Sequence, residues 1–272
     1  MITADYHMHT HHSGDSTAPM EDMIESSIEK GLDEICFTEH LDLDFPDIYD
    51  LPPEPFTPDL DAYRDEVMHC RTLYKEKIAV RHGIEIGLQP QVASENKAVV
   101  KKYGFDFIIA SEHLVDKEDP YYPSFWEKDD HDKIYNRFFE QTYDNLCLFD
   151  DYDVLGHLDY INRYEPGNTN TYSYKRYSAQ IDRILKHLIA HDKGLDVNGK
   201  VLFSNPSGMP NPHPDVLGRY KDLGGKLITF GSDAHAPQSI ASGFERMRDI
   251  ALSLGFTEYF TFKNRTPIPH RL

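Results

Sequence analysis

Residues 3–9 read Thr-Ala-Asp-Tyr-His-Met-His, and this stretch decides the fold. It predicts a short β-strand that carries His7 and His9 at alternate positions near its end. Side chains two residues apart in a strand share a face, so both imidazoles point to the same side. A single His-x-His pair is a weak signal, because strand-end histidines more often make structural hydrogen bonds. Its meaning depends on what the other strands carry at the same end.

Short apolar or β-branched runs alternate with amphipathic stretches along the chain. The other strand candidates are residues 34–38, 79–86, 105–111, 154–158, 195–198 and 227–232. The helical patterns cover residues 22–30, 61–76, 91–103, 131–149, 178–191, 213–223 and 242–254. Repeated strand-then-helix units predict a mostly parallel α/β sheet with right-handed crossovers. Because no linker rich in Pro, Gly or Ser divides the chain, we expect a closed or nearly closed barrel in a single domain, residues 1–272.

Two long loops interrupt this regular alternation, at residues 42–58 and 116–130. Both are rich in aromatic residues or proline. Loops of this length in a compact domain usually have a function, often as covers of an active site. We therefore interpret them as lids.

The composition argues against several classes of protein. The chain has 272 residues and a formal net charge of −18, which opposes binding to nucleic acid and to anionic membranes. Its three cysteines are far apart, so neither a disulfide framework nor a thiolate zinc site is indicated. No apolar run approaches the roughly 20 residues of a membrane span, and the N-terminal sequence lacks a signal-peptide pattern. We therefore expect a cytoplasmic protein.

Potential metal ligands stand at or just after the ends of six of the seven predicted strands. They are His7, His9 and Asp15, then Glu39 and His40, Glu85, Glu112 and His113, His157 and Asp159, and finally Asp233 and His235. In an α/β barrel the carboxyl ends of the strands form one rim, so these side chains are expected to converge. The repetition therefore predicts a metal centre. Imidazole and carboxylate ligands without sulfur suit zinc, iron or manganese.

These motifs resemble those of the polymerase and histidinol phosphatase (PHP) superfamily. The matching stretches are His7-x-His9, Glu39-His40, Gly83-Ile84-Glu85, Ser111-Glu112-His113, Gly156-His157-x-Asp159 and Ser232-Asp233-x-His235. They run from the first to the last predicted strand, so the resemblance covers nearly the whole chain. It implies a distorted (β/α)7 TIM-like barrel, the PHP fold, with a site for three divalent metal ions.

The resemblance also implies which residues hold each ion. One ion would bind His7, His9, Glu85 and Asp233, a second would share Glu85 and add His113 and His157, and a third would take Asp15, His40 and His235. Many relatives have His where this chain has Asp15, so His11 and His12 compete for that role. Glu39, Glu112 and Asp159 stand beside ligands, either as hydrogen-bond partners of the imidazoles or as ordinary ion-pair residues.

Such a metal site favours hydrolysis of a phosphate ester, because metal ions lower the pKa of bound water to about 7. We expect a metal-bound hydroxide to attack a phosphomonoester, with Asp233 or His235 as proton donor to the leaving alkoxide. Arg163 and Lys200 follow predicted strands and are expected to bind the phosphate. Asp42, in an acidic and aromatic loop, is expected to bind a cationic group of the substrate.

Family members of this size with the sequence Thr38-Glu39-His40-Leu41-Asp42 resemble phosphatases that convert L-histidinol phosphate to L-histidinol and phosphate in histidine biosynthesis. The same site would also serve a PHP phosphatase or phosphodiesterase acting on another small phosphate ester or nucleotide. A non-catalytic metal-binding PHP module is a third alternative. The resemblance thus implies a small phosphorylated substrate as the partner, without nucleic acid or membrane.

Overall fold

The central strands are buried along most of their length, as expected for parallel strands covered by helices. In the strand Phe107–Ser111, for example, every side chain is buried. The computed structural model describes residues 1–167 and 172–272 of the chain. The core of these residues is continuous and includes side chains from the strands and from the helices around them.

Strands and helices alternate through the described residues. The strands are β1 (Ala4–Asp5), β2 (Glu34–Phe37), β3 (His40–Leu41), β4 (Ala79–Gly87), β5 (Phe107–Ser111), β6 (Val154–Leu155), β7 (Gly194–Asn198), β8 (Ile228–Gly231), β9 (Glu258–Lys263) and β10 (Thr266–Arg271). The helices are α1 (Met20–Glu29), α2 (Leu60–Leu73), α3 (Ala93–Tyr103), α4 (Pro123–Trp126), α5 (His131–Leu148), α6 (Ser178–Ala190), α7 (Lys200–Ser204), α8 (Pro214–Asp222) and α9 (Phe244–Ser253). Each predicted strand and helix has a counterpart, with ends that differ by a few residues.

Seven parallel strands form a nearly closed barrel in the order β1-β2-β4-β5-β6-β7-β8, and the short β3 also pairs with β4. Backbone hydrogen bonds join the two ends of this order. The Tyr6 N–H donates to Phe230 O (2.9 Å), and the Asp233 N–H donates to His7 O (2.7 Å). The predicted barrel of seven strand-helix units is therefore confirmed.

Strand β1 is shorter than predicted because the chain changes its hydrogen-bond partners partway along the segment. Ala4 and Asp5 pair with β2. After Asp5 the backbone forms hydrogen bonds alternately with the segment after β2 and with the segment after β8. The Thr38 N–H donates to Met8 O, and the His9 N–H donates to Ala234 O. The ladder is interrupted, but the predicted run still leads its two histidines to the carboxyl-end rim.

Helix ends follow the expected capping chemistry. Asp59 and Asp130 accept hydrogen bonds from N–H groups in the first turns of α2 and α5. Gly104 follows α3 in the left-handed conformation (φ 57°), which glycine adopts without steric cost. The sequence analysis does not predict α4 and α7, because each helix is too short to show a helical hydrophobic period. Among the helices described, none has both the length and the apolar character required to cross a bilayer.

The antiparallel hairpin β9–β10 is also absent from the sequence prediction, and it covers the barrel at the end where the strands begin. Phe262 packs against Phe107, with ring centroids 4.9 Å apart, and its carbonyl accepts a hydrogen bond from the Tyr6 hydroxyl (2.9 Å). Arg265 Nε donates to Asp153 Oδ2 (2.6 Å), just before β6. The hairpin thus closes the floor of the barrel, opposite the rim that carries the candidate ligands.

Candidate metal centre

Glu85, in β4, lies at the middle of the predicted ligand set. Its Oε2 is 3.2 Å from His7 Nε2 and 3.0 Å from His40 Nδ1. Its Oε1 is 3.0 Å from His157 Nε2 and 3.3 Å from His113 Nε2. The carboxylate is fully buried. One carboxylate therefore connects four imidazoles that come from four separate parts of the chain.

The remaining candidates complete the same cluster from the first and last strands. His9 Nε2 lies 3.6 Å from Glu85 Oε2 and 3.6 Å from Asp233 Oδ1. Asp15 Oδ2 lies 3.0 Å from His235 Nε2 and 3.6 Å from His40 Nε2. The structure thus brings all nine predicted ligands together: His7, His9, Asp15, His40, Glu85, His113, His157, Asp233 and His235. Their assignment to individual ions stays a prediction.

Several polar atoms of the cluster are buried and have no hydrogen-bond partner among the described residues. They are His7 Nε2, His9 Nε2, His40 Nδ1, Glu85 Oε2 and His235 Nε2. Burying such atoms unpaired is costly, whereas coordination to a cation satisfies them. The ligand atoms of His7, His9 and Glu85 lie within 4.8 Å of one another, and so do those of His9, His40 and His235. These residues therefore fit a centre with several metal ions.

The charges of the cluster support this interpretation. Burial by itself would raise the pKa of Glu85, but His7 and the other surrounding imidazoles hold that pKa well below its usual value. Burial also opposes ionisation of Asp233, yet the charges of Lys200 and its neighbours keep its pKa well below the usual range. Burial lowers the pKa of His9 far below its ordinary value. Ionised carboxylates and a neutral His9 are the forms that bind metal. Burial by itself would also lower the pKa of His40, but the carboxylates of Asp15 and Glu85 outweigh burial and raise that pKa to about 10, so a metal ion would have to displace a proton from that ring.

Close packing fixes the position of His7. A Cβ atom at Gly231 would lie 2.1 Å from His7 Cβ, so only glycine allows β8 to approach this histidine so closely. On the other side of the ring, His7 Nδ1 donates to Asp196 Oδ2 (2.9 Å) in β7. A carboxylate that accepts this hydrogen bond leaves Nε2 free to coordinate a metal.

Two further histidines have similar support. His113 Nδ1 donates to Asp42 Oδ1 (2.8 Å). His9 Nδ1 lies 3.0 Å from Ser13 Oγ, and the Ser13 hydroxyl donates to Glu39 Oε2 (2.6 Å). Glu39 thus acts on an imidazole through Ser13. Asp42 remains a predicted substrate contact, but its Oδ1 already holds a candidate ligand.

The other two acidic neighbours of the ligands have different partners. Glu112 accepts hydrogen bonds from Gln141 Nε2 (2.6 Å) and Asn145 Nδ2 (2.9 Å) of α5. Asp159 accepts from Asn211 Nδ2 (2.6 Å) and from the His213 N–H (2.8 Å). Both carboxylates thus fix the surrounding helix and loop.

Sequence reasoning missed Asp196 and Ser13. Asp196 alternates with Asn198 in β7, so both residues face the barrel interior, where Asn198 Nδ2 donates to Asp233 Oδ2 (3.1 Å). That alternation is the signal that could have identified Asp196. Ser13 has no comparable signal, because its role depends on how the loop after β1 turns.

The first loop provides Asp15, and not His11 or His12, to the cluster. His12 Nε2 lies 2.7 Å from Glu66 Oε2 of α2, and His11 Nε2 lies 3.4 Å from the same oxygen. Both rings turn away from the centre. This geometry favours Asp15 among the alternatives that the sequence leaves open.

A cavity of about 390 Å³ opens beside the cluster, and both predicted phosphate contacts line it. Arg163 Nη2 donates to Asn198 Oδ1 (2.6 Å) and its Nη1 donates to Asp233 Oδ2 (3.2 Å). Lys200 Nζ donates to Asp233 O (3.0 Å) and lies 2.5 Å from His235 Nδ1. Both cations are therefore next to the candidate metal ligands, although phosphate binding by them stays a prediction.

Aromatic side chains also line the cavity, and most of them come from the two loops expected to be lids. The aromatic lining residues are Phe45, Phe56, Tyr121, Tyr122, Tyr160 and Tyr164. Tyr49 of the first loop stacks on Tyr122 of the second, with ring centroids 3.9 Å apart. Asp119 also lines the cavity, and its N–H donates to the Tyr49 hydroxyl (2.6 Å). The loops thus hold one another over the cavity.

Comparison with known proteins identifies a family for this chain. The family model described as PHP domain matches residues 5–200. The histidinol-phosphatase of Lactococcus lactis is 31% identical over 263 residues, which cover 96% of this chain and 95% of that protein. A probable histidinol-phosphatase of Clostridium acetobutylicum is 30% identical and covers 91% and 92%. The crystal structure of the Lactococcus lactis histidinol phosphate phosphatase, complexed with zinc, L-histidinol and phosphate, is similar with a TM-score of 0.89, 30% identity and 98% coverage of both chains.

Proposed function

The chain belongs to the PHP domain family, and on that premise we propose that it is a metal-dependent phosphomonoesterase that hydrolyses L-histidinol phosphate to L-histidinol and phosphate. The observation that carries this proposal is the adjacency of the cluster around Glu85 to the cations Arg163 and Lys200 in one cavity. Near full-length similarity to histidinol-phosphatases supports the choice of substrate.

The candidate ligands would hold the metal ions at the inner end of the cavity. When bound, the ions would lower the pKa of water to about 7, polarise the phosphoryl oxygens and offset the charge on the leaving oxygen. Asp196 and Asp42 orient His7 and His113 through their Nδ1 atoms, so that Nε2 of each ring faces Glu85. Such partners fix the tautomer as well as the direction of a ligand.

The two cations are assigned to the phosphate. Asn211 Oδ1 and Asn198 Oδ1 accept hydrogen bonds from the Arg163 guanidinium, which is therefore held in place before substrate binds. A planar guanidinium suits phosphate oxygens, and Lys200 adds a second positive charge. Of the two proton donors expected from the sequence, His235 stays the proposal, because the lowered pKa of Asp233 leaves that carboxylate without a proton to give to the leaving alkoxide. Lys200 Nζ, 2.5 Å from His235 Nδ1, can hold a proton beside it.

The organic part of the substrate is assigned to the aromatic end of the cavity. L-Histidinol carries an ammonium group and an imidazole ring, and aromatic walls suit both. Asp119 lies in this wall, and burial raises its pKa to about 6. A partly desolvated carboxylate gains most from a nearby cation. We therefore assign the cationic group of the substrate to Asp119, with Asp42 as the alternative.

The direct test is release of inorganic phosphate from L-histidinol phosphate by purified protein whose zinc, iron and manganese contents are measured in parallel. We expect kcat/KM for this substrate to exceed the values for sugar phosphates, nucleotides and p-nitrophenyl phosphate by orders of magnitude. Chelation should abolish activity and metal addition should restore it. Equal rates across the panel would contradict the substrate assignment, and full activity without metal would contradict the mechanism.

A further inference from the structure

His11 and His12 are close to the metal centre in sequence but belong to a different group of side chains. The His11 N–H donates to Ala18 O (2.8 Å), and the His12 N–H donates to Thr10 Oγ1 (3.3 Å). Because these residues form a turn rather than a strand, neighbouring side chains can face the same way. Their rings lie 4.4 Å apart at a tilt of 32°, and both extend toward Glu66 of α2.

The donor atoms of this trio have the spacing of metal ligands. Glu66 Oε2 lies 3.4 Å from His11 Nε2 and 2.7 Å from His12 Nε2, and the ligand atoms of all three residues lie within 4.8 Å of one another. In a tetrahedral site with metal–ligand bonds of about 2.1 Å, ligand atoms are roughly 3.4 Å apart. The distance from Glu66 Oε2 to His11 Nε2 already has this value. The shorter distance to His12 Nε2 is that of a hydrogen bond, which a bound ion would replace.

We propose that His11, His12 and Glu66 form an additional, mononuclear site for a divalent transition-metal ion, separate from the centre around Glu85. Two imidazoles and one carboxylate suit zinc, cobalt or nickel better than magnesium or calcium. Three protein ligands leave a coordination position for water. His11 and Glu66 are partly exposed, with 43% and 32% of their side chains accessible, so an ion can enter directly from solvent.

The position of this site connects it to the active centre. The two histidines share a loop with Ser13, which contacts His9, and with Asp15, which contacts His235. An ion bound here would tie that loop to α2. The site therefore binds an exchangeable ion that stiffens the loop, and this role does not depend on which ester the centre hydrolyses.

Equilibrium dialysis against buffered free zinc, with elemental analysis of the retained metal, tests the proposal. Wild-type protein should take up one more ion per chain than Glu66→Gln, and His12→Gln should show the same loss. Glu76→Gln is the matched control, because Glu76 lies just beyond α2 and is exposed. Its uptake should equal that of wild type.

Cobalt gives a second readout that does not depend on activity. Protein dialysed until it keeps only the tightly held zinc of the main centre should, on titration with Co²⁺, develop the visible absorption of a tetrahedral ion in wild type and in Glu76→Gln. The signal should be absent in Glu66→Gln and in His12→Gln. Equal metal uptake by wild type and Glu66→Gln would overturn the proposal. So would a loss of more than one ion in that variant, because Glu66 would then act on the main centre.

Discussion

Asp196 shows how much depends on residues that do not themselves contact metal or substrate. Its carboxylate accepts the Nδ1 proton of His7 and thereby turns Nε2 toward Glu85. It also accepts a hydrogen bond from Thr229 Oγ1 (3.2 Å), so the acceptor is itself fixed. Both members of the His7–Asp196 pair are completely buried. Solvent therefore does not reach this carboxylate in the folded protein.

We predict that Asp196→Asn weakens metal binding at the centre roughly tenfold to hundredfold, because residues that hydrogen-bond to metal ligands contribute about that much to metal affinity. Competition with a chromophoric chelator at increasing concentration measures the change. Asp222→Asn, at the exposed end of α8, is the control and should bind metal like wild type. Unchanged affinity in Asp196→Asn would mean that the orientation of His7 does not limit metal binding.

A second prediction concerns Asp119 and the cationic group of the substrate. Asp119→Asn should raise KM for L-histidinol phosphate about tenfold or more, which corresponds to one charge-assisted hydrogen bond. Its kcat/KM for p-nitrophenyl phosphate, which has no cationic group, should stay within about twofold of wild type. If kcat/KM falls equally for both substrates, Asp119 supports the structure of the cavity and does not recognise the cation.

The same residue predicts a pH dependence. Burial raises the pKa of Asp119 to about 6, a shift that the charge of Asp42 favours and that of His113 opposes. Below this pH the carboxyl is neutral and loses its attraction for a cation. The ratio of the KM of Asp119→Asn to that of wild type should therefore fall toward one as the pH decreases through 6. Using this ratio removes the ionisation of the substrate from the comparison.

The convergence of the candidate ligands could be predicted from sequence, whereas the contacts of Asp196 and Ser13 with them could not. His7, Glu85 and Asp233 stand at strand ends, and strand ends of a parallel barrel meet whatever the details of packing. The contact of Asp196 with His7 depends on the order of the strands, which joins β7 to β8 and β8 to the first segment. The alternation in β7 indicates that Asp196 faces the barrel interior, but a linear pattern does not contain the strand order that brings it to His7.

At the scale of elements, the loop at residues 42–58 meets the loop after β1 at Gly14. A Cβ atom at Gly14 would lie 1.7 Å from Pro55 O, so any other residue forces the two loops apart. Asp15 follows directly and contacts His40 and His235. The close approach therefore links the cover of the cavity to a candidate metal ligand.

Gly14→Ala should consequently lower kcat/KM for L-histidinol phosphate at least tenfold and destabilise the protein by about 1–3 kcal/mol, as overpacking usually does. Steady-state kinetics and thermal unfolding report the two effects. The matched control is Gly218→Ala inside α8, where the new Cβ meets only the flexible end of Leu254, at 3.2 Å. Normal activity and stability in Gly14→Ala would show that the loops separate without cost.

The elements that sequence analysis missed have physical reasons for being hard to recognise. Strand β10 contains Pro267 and Pro269, and proline normally argues against a strand because it cannot donate a hydrogen bond. Here the hairpin has only two strands, so these prolines lie on an edge. Strand β3 contains only His40 and Leu41. The longer helices were predictable because their hydrophobic periods extend over enough residues, whereas β9 was missed although it has 6 residues.

For the molecule as a whole, His82 predicts how stability depends on pH. Its ring lies between Tyr63 and Phe105, and neither nitrogen has a hydrogen-bond partner in the described part of the chain. Burial, followed by the charge of Arg71, lowers its pKa to about 4. The unfolded chain has the ordinary value of about 6.5 and binds a proton that the folded chain does not. Stability is therefore lost as the pH falls from 6.5 to 4.

We predict that His82→Phe retains about 2–3 kcal/mol more of its stability than wild type when the pH is lowered from 7 to 4.5. Urea unfolding at both pH values gives the difference, and the contributions of other groups cancel between the two proteins. His69→Gln, a change on the exposed side of α2, should lose as much stability as wild type. Identical acid sensitivity in His82→Phe would contradict the assignment.

The backbone hydrogen bonds that close the barrel affect the order of events during folding. Asp233 N–H reaches His7 O, and Met8 pairs with Ala234, across more than 220 residues of chain. Contacts so distant in sequence form late in folding. In refolding of Glu66→Gln with Co²⁺, where the additional site cannot contribute, the visible spectrum of the centre should therefore appear after the change in Trp126 fluorescence. A bound metal ion is then a record that the chain has finished folding, and a native-like cobalt spectrum in an early intermediate would disprove this order.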